Sequence, residues 1–197
     1  MNGVSSYPAI VRQSVAGLRL LLAMTLLLGL LYPVAIWGFG RLMPGADGSF
    51  VTSNGREVGS SLIGQSFEGA QWFHARPSEA GDGYDALASA ASNLGPENAD
   101  LLATIEERRT AIAALEGVAP GRVPPDAVTA SASGLDPHIS PEYARLQVAR
   151  VARERGLPEA EVASLVERLV QGRTLGFLGE PRVNVLELNL ALGSAAR

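Results

Sequence analysis

Between Leu20 and Gly40 the chain runs for 21 residues without one charged side chain, and eight of the first twelve are Leu. A helix over this run is about 31 Å long at about 1.5 Å per residue, the thickness of a bilayer's hydrocarbon core. Leu20 to Leu31 is apolar all round, which excludes a half-buried surface helix with one polar stripe. A secretory leader is the other reading of an N-terminal apolar run, and Gly38 and Gly40 do form a small-x-small pair. Such leaders, however, carry only about 7–15 apolar residues. A single membrane span over residues 18–41 is therefore expected, with a tail at 1–17 and a soluble domain at 42–197. Tyr32 and Trp37 sit in the run, Arg19 and Arg41 bracket it as interfacial anchors, and Pro33 is expected to kink it.

Charge divides the chain at the same place. Residues 1–41 hold Arg12, Arg19 and Arg41 and no acid, whereas residues 42–197 hold 13 Arg and all 20 acids, a net charge of −7. The acid-free tail reads as cytoplasmic under the positive-inside rule, which puts the acidic domain outside the cytoplasm. Absences narrow the chemistry further. With no Cys there is no disulfide framework, thiolate metal site or Cys nucleophile. With no Lys there is no Schiff-base amine and no P-loop lysine, so the chain is not itself a Walker-type ATPase.

Beyond a turn-rich linker at 43–48, the patterning is α+β. Phe50-Val51-Thr52 and Glu57-Val58 flank Asn54-Gly55, a type I′ hairpin signal. Trp72 to Arg76 reads as a strand stopped by Pro77, and Ser78 to Pro96 as a long loop. Helical spacing returns over Glu97 to Glu116, with Leu101, Ile105, Ile112 and Leu115 on one face and Gly117 as the stop. Val118 to Pro125 is a proline-rich linker. Ser140-Pro141-Glu142 caps a helix expected to run to about Arg155, Pro158 opens another built on Val162, Leu165, Val166, Leu169 and Val170, and a last one starts after Asn184 with Leu186 and Leu190 a turn apart.

Few groups suggest chemistry. His74 and His138 lack partners at metal-ligand spacing, so no metal site is expected and His74 reads as a hydrogen-bonded strand residue. Ser133, Asp136 and His138 contain the residue types of a hydrolase triad, giving a membrane-anchored hydrolase as the alternative reading, although triads are assembled from distant segments. Asp136-Pro137 also reads more simply as a turn feeding the Ser140 cap. Arg145, Arg153 and Arg155 have acids nearby at Glu142, Glu154 and Glu159, and the domain is acidic, so no nucleic-acid partner is expected. From the residues alone the chain is a bitopic membrane protein working by contact.

Six segments in a fixed order sharpen this. They are the span ending in Tyr32-Pro33, Gly59 to Phe67, Trp72 to Ser78, Tyr84-Asp85 with Ser92 to Pro96, Thr129 to Ser140 leading to Gln147 and Arg150, and Arg182 to Asn189. Together, from about Leu18 to Leu192, the chain resembles the C subunits of the Kdp potassium-transporting P-type ATPase. Two positions depart from the family pattern: Ala132 stands for the first glycine of a Ser-Gly-Ser-Gly-Leu-Asp-Pro loop, and Ala91 for a glycine before Ser92-Asn93.

The resemblance implies a non-catalytic subunit of a bacterial inner-membrane complex, one that stabilises the assembly and acts as a catalytic chaperone raising the ATP affinity of the hydrolysing subunit. Its implied partners are a potassium-channel-like subunit, the ATP-hydrolysing subunit, a small single-span peptide and membrane lipid. No cofactor is expected to bind tightly, with ATP possible through the complex. The implied nucleotide-binding candidates are Ser131, Ser133, Gly134 and Gln147, and the subunit-contact candidates Tyr32, Pro33, Asn93, Asp136 and His138. An external domain of net charge −7 is also expected to raise the local cation concentration at the potassium entrance.

Overall fold

The structure is a computed structural model that describes residues 7–43, 45–53 and 55–195. It divides into two compact units, residues 1–49 and 50–197.

The first unit is one long apolar helical run, Pro8–Gly40, with a hydropathy of 2.2 and none of its most apolar window buried within the chain. It starts as α1 (Tyr7–Leu26), passes through a π-helical turn at Leu27–Leu31 and ends as α2 (Tyr32–Gly40). Pro33, where a kink is expected, lies just past this widened turn. Proline has no N–H and its ring presses on the carbonyl four residues back, here Gly29. The wider spacing, in which Tyr32 N–H donates to the Leu27 carbonyl, is the kind of bulge that accommodates such an intrusion. Past the helix, Arg41 pairs with Asp47 at 2.8 Å.

The second unit opens with the expected hairpin, β1 (Phe50–Ser53) and β2 (Arg56–Ser60), antiparallel with Ser53 opposite Arg56. Gly55 has the positive φ of a tight turn, while Asn54 lies outside the described residues, as does Pro44 of the linker. The remaining elements are α3 (Ala99–Glu116), a short α4 (Pro125–Val128), β3 (His138–Ile139), α5 (Pro141–Leu146), α6 (Val148–Arg155), α7 (Glu159–Leu169), β4 (Val170–Gln171), β5 (Arg182–Asn184) and α8 (Val185–Ala195). The strands form a small antiparallel sheet in the order β3-β5-β4, with Val183 facing both Ile139 and Val170. Val183 is fully buried among Val151, Val166, Leu188 and Leu192. The sheet thus acts as a clasp inside a helical core.

Local caps set several of the helix boundaries. Asn98 Oδ1 accepts the Asp100 and Leu101 N–H groups to start α3, and Gly117 ends it in the left-handed region. Ser140 Oγ accepts the Tyr143 N–H to start α5, and Gly156 terminates α6. Asn184 Oδ1 accepts the Glu187 N–H at the start of α8.

Four expectations need correction. The helix from Ser140 to Arg155 is interrupted at Gln147, whose side chain is drawn into the core. On α3, Ile105 and Ile112 pack against the core as expected, with Ala113 and Glu116 buried beside them, but Leu115 is exposed, since Glu116 is the residue turned inward to meet Arg150. Of the three arginines expected near acids, Arg153 pairs with Glu154 at 3.3 Å and Arg145 feels the charge of Glu142 while pairing with Glu167 of α7 at 2.6 Å, but Arg155 lies over the Trp72 ring at 4.0 Å. Finally, the strand expected over Trp72 to Arg76 does not form: Trp72 lies in a bend and 73–76 join no sheet. The backbone there is instead met by side-chain amides. Asn189 of α8 accepts the Phe73 N–H and donates to the Phe73 carbonyl, both at 2.9 Å, and Gln147 accepts the His74 N–H at 2.7 Å and donates to the His74 carbonyl at 3.1 Å. Two side-chain amides thus satisfy the backbone groups that a neighbouring strand would otherwise pair.

Candidate functional site

The polar loop at 129–140 is folded against the segment that follows Trp72 to Arg76. Arg76 reaches into it with its whole fork: Nη1 donates to Asp136 Oδ2 at 3.2 Å, and Nε and Nη2 donate to the Thr129 and Ala130 carbonyls. Ser78 Oγ donates to the Gly134 carbonyl at 2.6 Å and accepts the Ala80 and Tyr84 N–H groups. Tyr84 returns its hydroxyl to the Arg76 carbonyl at 2.7 Å. Ser89 Oγ and the Ala90 N–H both donate to the Ser133 carbonyl, and the Gly64 N–H donates to that of Leu135. The long 78–96 loop is thereby ordered by its grip on 129–140.

Gly134 makes this docking sterically possible. Its φ is +68°, and a Cβ there would lie 2.7 Å from Ala80 and 2.9 Å from the Ala90 carbonyl oxygen. Ala132, the departure from the family loop, is exposed and has no positive φ, so the turn's left-handed residue is Gly134 and the alanine is accommodated.

Asp136 is the electrostatic centre. Its Oδ1 accepts the His138 N–H at 3.0 Å and lies 3.3 Å from His138 Nδ1, while Oδ2 faces Arg76. Burial pushes its carboxyl up, but hydrogen bonds from the His138 ring and backbone and the charges of His138 and Arg76 outweigh this and hold it below the usual carboxylate range. Tyr84 is pushed up to about 12 by its burial and by Asp136. The group is thus a fixed ion pair beside a neutral phenol. Two clefts border it, one of about 380 Å³ that also meets Asp126, Ser140 and Arg182, and an open one of about 560 Å³ that also meets Leu62, Ile63, Ser131 and Ser133.

The residues proposed from sequence distribute unevenly around this centre. Asp136 and His138 are joined directly, but Ser133 is not part of their hydrogen bonding, since its Oγ accepts the Leu135 N–H. The hydrolase arrangement of Ser133, Asp136 and His138 is therefore not assembled, because three positions so close in sequence are fixed by their own turn. Ser131, Ser133 and Gly134 share the loop, whereas Gln147 is buried with its amide committed to His74 and Arg150. Asn93 sits in the 78–96 loop with φ +53°, its side chain donating to the Ala91 carbonyl. Tyr32 and Pro33 belong to the apolar helix of the first unit. Arg76, Ser78 and Tyr84, which hold the centre together, did not stand out from the sequence as site residues. The available signal was their place in Trp72 to Ser78 and Tyr84-Asp85, two of the segments that carry the family resemblance, which marks the segments but not the role of each side chain.

The family model described as K+-transporting ATPase, c chain, KdpC, matches residues 14–194. The chain belongs to the KdpC family. It is 64% identical over 188 residues to the potassium-transporting ATPase KdpC subunit of Kineococcus radiotolerans, covering 95% of this chain and 96% of that one. To the KdpC subunit of Koribacter versatilis it is 51% identical over 171 residues, 85% and 87% of the two chains. To that of Mycobacterium tuberculosis it is 50% identical over 184 residues, 92% and 97%. As a KdpC-family chain with an N-terminal apolar helix, it is a potassium-transport subunit anchored to a membrane.

Proposed function

We propose that this chain stabilises a Kdp complex by contact and raises the ATP affinity of the hydrolysing subunit, taking no part in the chemistry itself. The observation that carries the reading is the family match over residues 14–194. The structure of the 129–140 loop supports it, since the loop's polar groups are occupied in holding one rigid surface with Leu62, Ile63 and Leu135 beside a fixed charge pair. Leu62 is 62% exposed, which suits a residue that a partner covers. The proposed partners are the potassium-channel-like subunit, the ATP-hydrolysing subunit and the small single-span peptide. The proposed orientation has Arg12 and Arg19 in the cytoplasm and the acidic domain outside, where its charge concentrates potassium. An effect on ATP affinity is then transmitted through subunit contacts, and Ser131, Ser133, Gly134 and Gln147 need not touch nucleotide.

The test is the complex purified with and without this chain. Loss of co-purification of the large subunits, or a rise in the KM for ATP, is expected on its removal. Unchanged assembly together with unchanged ATP dependence overturns the reading. A Ser164→Cys variant, the sole thiol in the chain, reports orientation through an impermeant thiol reagent on intact cells. Labelling only after lysis reverses the proposed topology.

A further inference from the structure

The connection between β4 and β5 exposes apolar side chains that the fold does not use. Leu175 is 79% exposed, Phe177 68% and Leu178 49%. Thr174 and Leu178 exchange two backbone hydrogen bonds at 2.9 Å, closing a tight loop, and Leu175 takes a positive φ of 55°. A leucine rarely adopts that conformation, and here it accompanies a side chain held out in solvent rather than one packed inward. The loop is fixed at its base, because β4 and β5 are both paired around buried Val183. Segment 172–179 contains no acid, and the charges over 172–182 are Arg173, Glu180 and Arg182, net +1 within a domain of −7. Arg173 pairs with Glu180 at 2.6 Å just behind the apolar tip.

We propose that this tip, Leu175-Gly176-Phe177-Leu178, inserts into a phospholipid surface. Three observations favour lipid over a protein partner. The apolar area is a narrow tip of three side chains, short of the roughly 800 Å² that a standard protein interface needs from each side. An aromatic and two leucines backed by arginines is the composition of a segment resting at the headgroup–acyl boundary. The same chain carries an apolar helix long enough to span a bilayer, so lipid is always at high effective concentration. The inference rests on the chain being membrane-anchored and is independent of its effect on ATP affinity.

The full-length chain with a single introduced cysteine, Leu175→Cys or Phe177→Cys, is spin-labelled and reconstituted into vesicles of phosphatidylethanolamine and phosphatidylglycerol. Ser164→Cys, on the exposed side of α7, is the aqueous control. Labels at 175 and 177 are expected to show raised collision with oxygen and several-fold reduced collision with an aqueous nickel chelate, at a depth of about 5–10 Å. Water accessibility equal to that at 164 overturns the proposal. So does protection that appears only when the other Kdp subunits are present, since the occupant is then protein. Both labelled positions are exposed, and an unchanged circular dichroism spectrum shows that the fold is retained.

Discussion

Arg150 and Glu116 form an ion pair at 2.9 Å with each side chain only 1% exposed. Arg150 also donates to the Ala70 and Trp72 carbonyls and to Gln147, so one guanidinium ties α3, α6 and the extended segment together. Glu116 Oε2 has no hydrogen-bond partner, and burial pushes the carboxyl up despite the Arg150 charge. Removing one half of such a pair leaves the other as an uncompensated buried charge, at a cost of about 3–5 kcal/mol. Arg150→Met should therefore lower the thermal midpoint in detergent by many degrees. Arg150→Met with Glu116→Leu should recover part of the loss, and a double variant no more stable than the single one would show that the guanidinium's carbonyl contacts dominate.

The amide brackets make a second prediction. Asn189→Leu keeps the approximate volume but leaves the Phe73 N–H and carbonyl buried without partners, each costing about 1–3 kcal/mol. The extended segment 70–77 should become the first site of limited proteolysis, measured by mass spectrometry of early fragments. Gln147→Leu should act similarly at His74 and also strip a partner from Arg150. A cleavage pattern identical to that of the parent chain would mean that the segment is held by packing alone.

These two cases show where sequence was informative. The apolar run, the cap at Ser140, the stops at Gly117 and Gly156, and the hairpin around Gly55 are local signals, written within a few residues of the structure they produce, whereas α3 starts at Ala99 behind an Asn98 cap rather than at Glu97. Trp72 to Arg76 carried the pattern of a strand but forms none, because its hydrogen-bond partners lie 73 and 116 residues away and are side chains rather than a neighbouring strand. Nothing in the pattern of Gln147 or Asn189 separates them from surface amides. The 129–140 loop was legible as a turn-rich polar segment, while its dependence on Arg76, Ser78 and Tyr84 was not, since Tyr84 adopts its positive φ without a glycine to announce it.

Gly134 tests that dependence. Gly134→Ala places a Cβ 2.7 Å from Ala80 at a φ of +68°, adding left-handed strain to a clash with backbone that has no slack. A loss of about 2 kcal/mol or more is expected from overpacking and strain together. Gly121→Ala, where nothing lies within 4 Å and φ is not positive, should be close to neutral. Thermal midpoints of the two variants side by side make the comparison, and equal shifts would mean that the 78–96 loop simply moves aside.

The Asp136 carboxyl gives a pH prediction with a definite sign. It is held below the usual range in the folded chain, so the folded state binds fewer protons than the unfolded state as the pH falls. Its stabilisation is fully present above the unfolded value of about 4 and is lost as the pH drops through the lower folded value. Asp136→Asn should thus destabilise the chain at neutral pH, toward the lower end of the roughly 1.5–3 kcal/mol typical of charged hydrogen bonds, because the side chain is about a third exposed. Below pH of about 4 the gap between the two proteins should narrow steadily. Thermal unfolding followed by circular dichroism from acid to neutral pH measures that gap. A gap of constant size across the range would place the stabilisation in the turn geometry at His138 rather than in the charge facing Arg76.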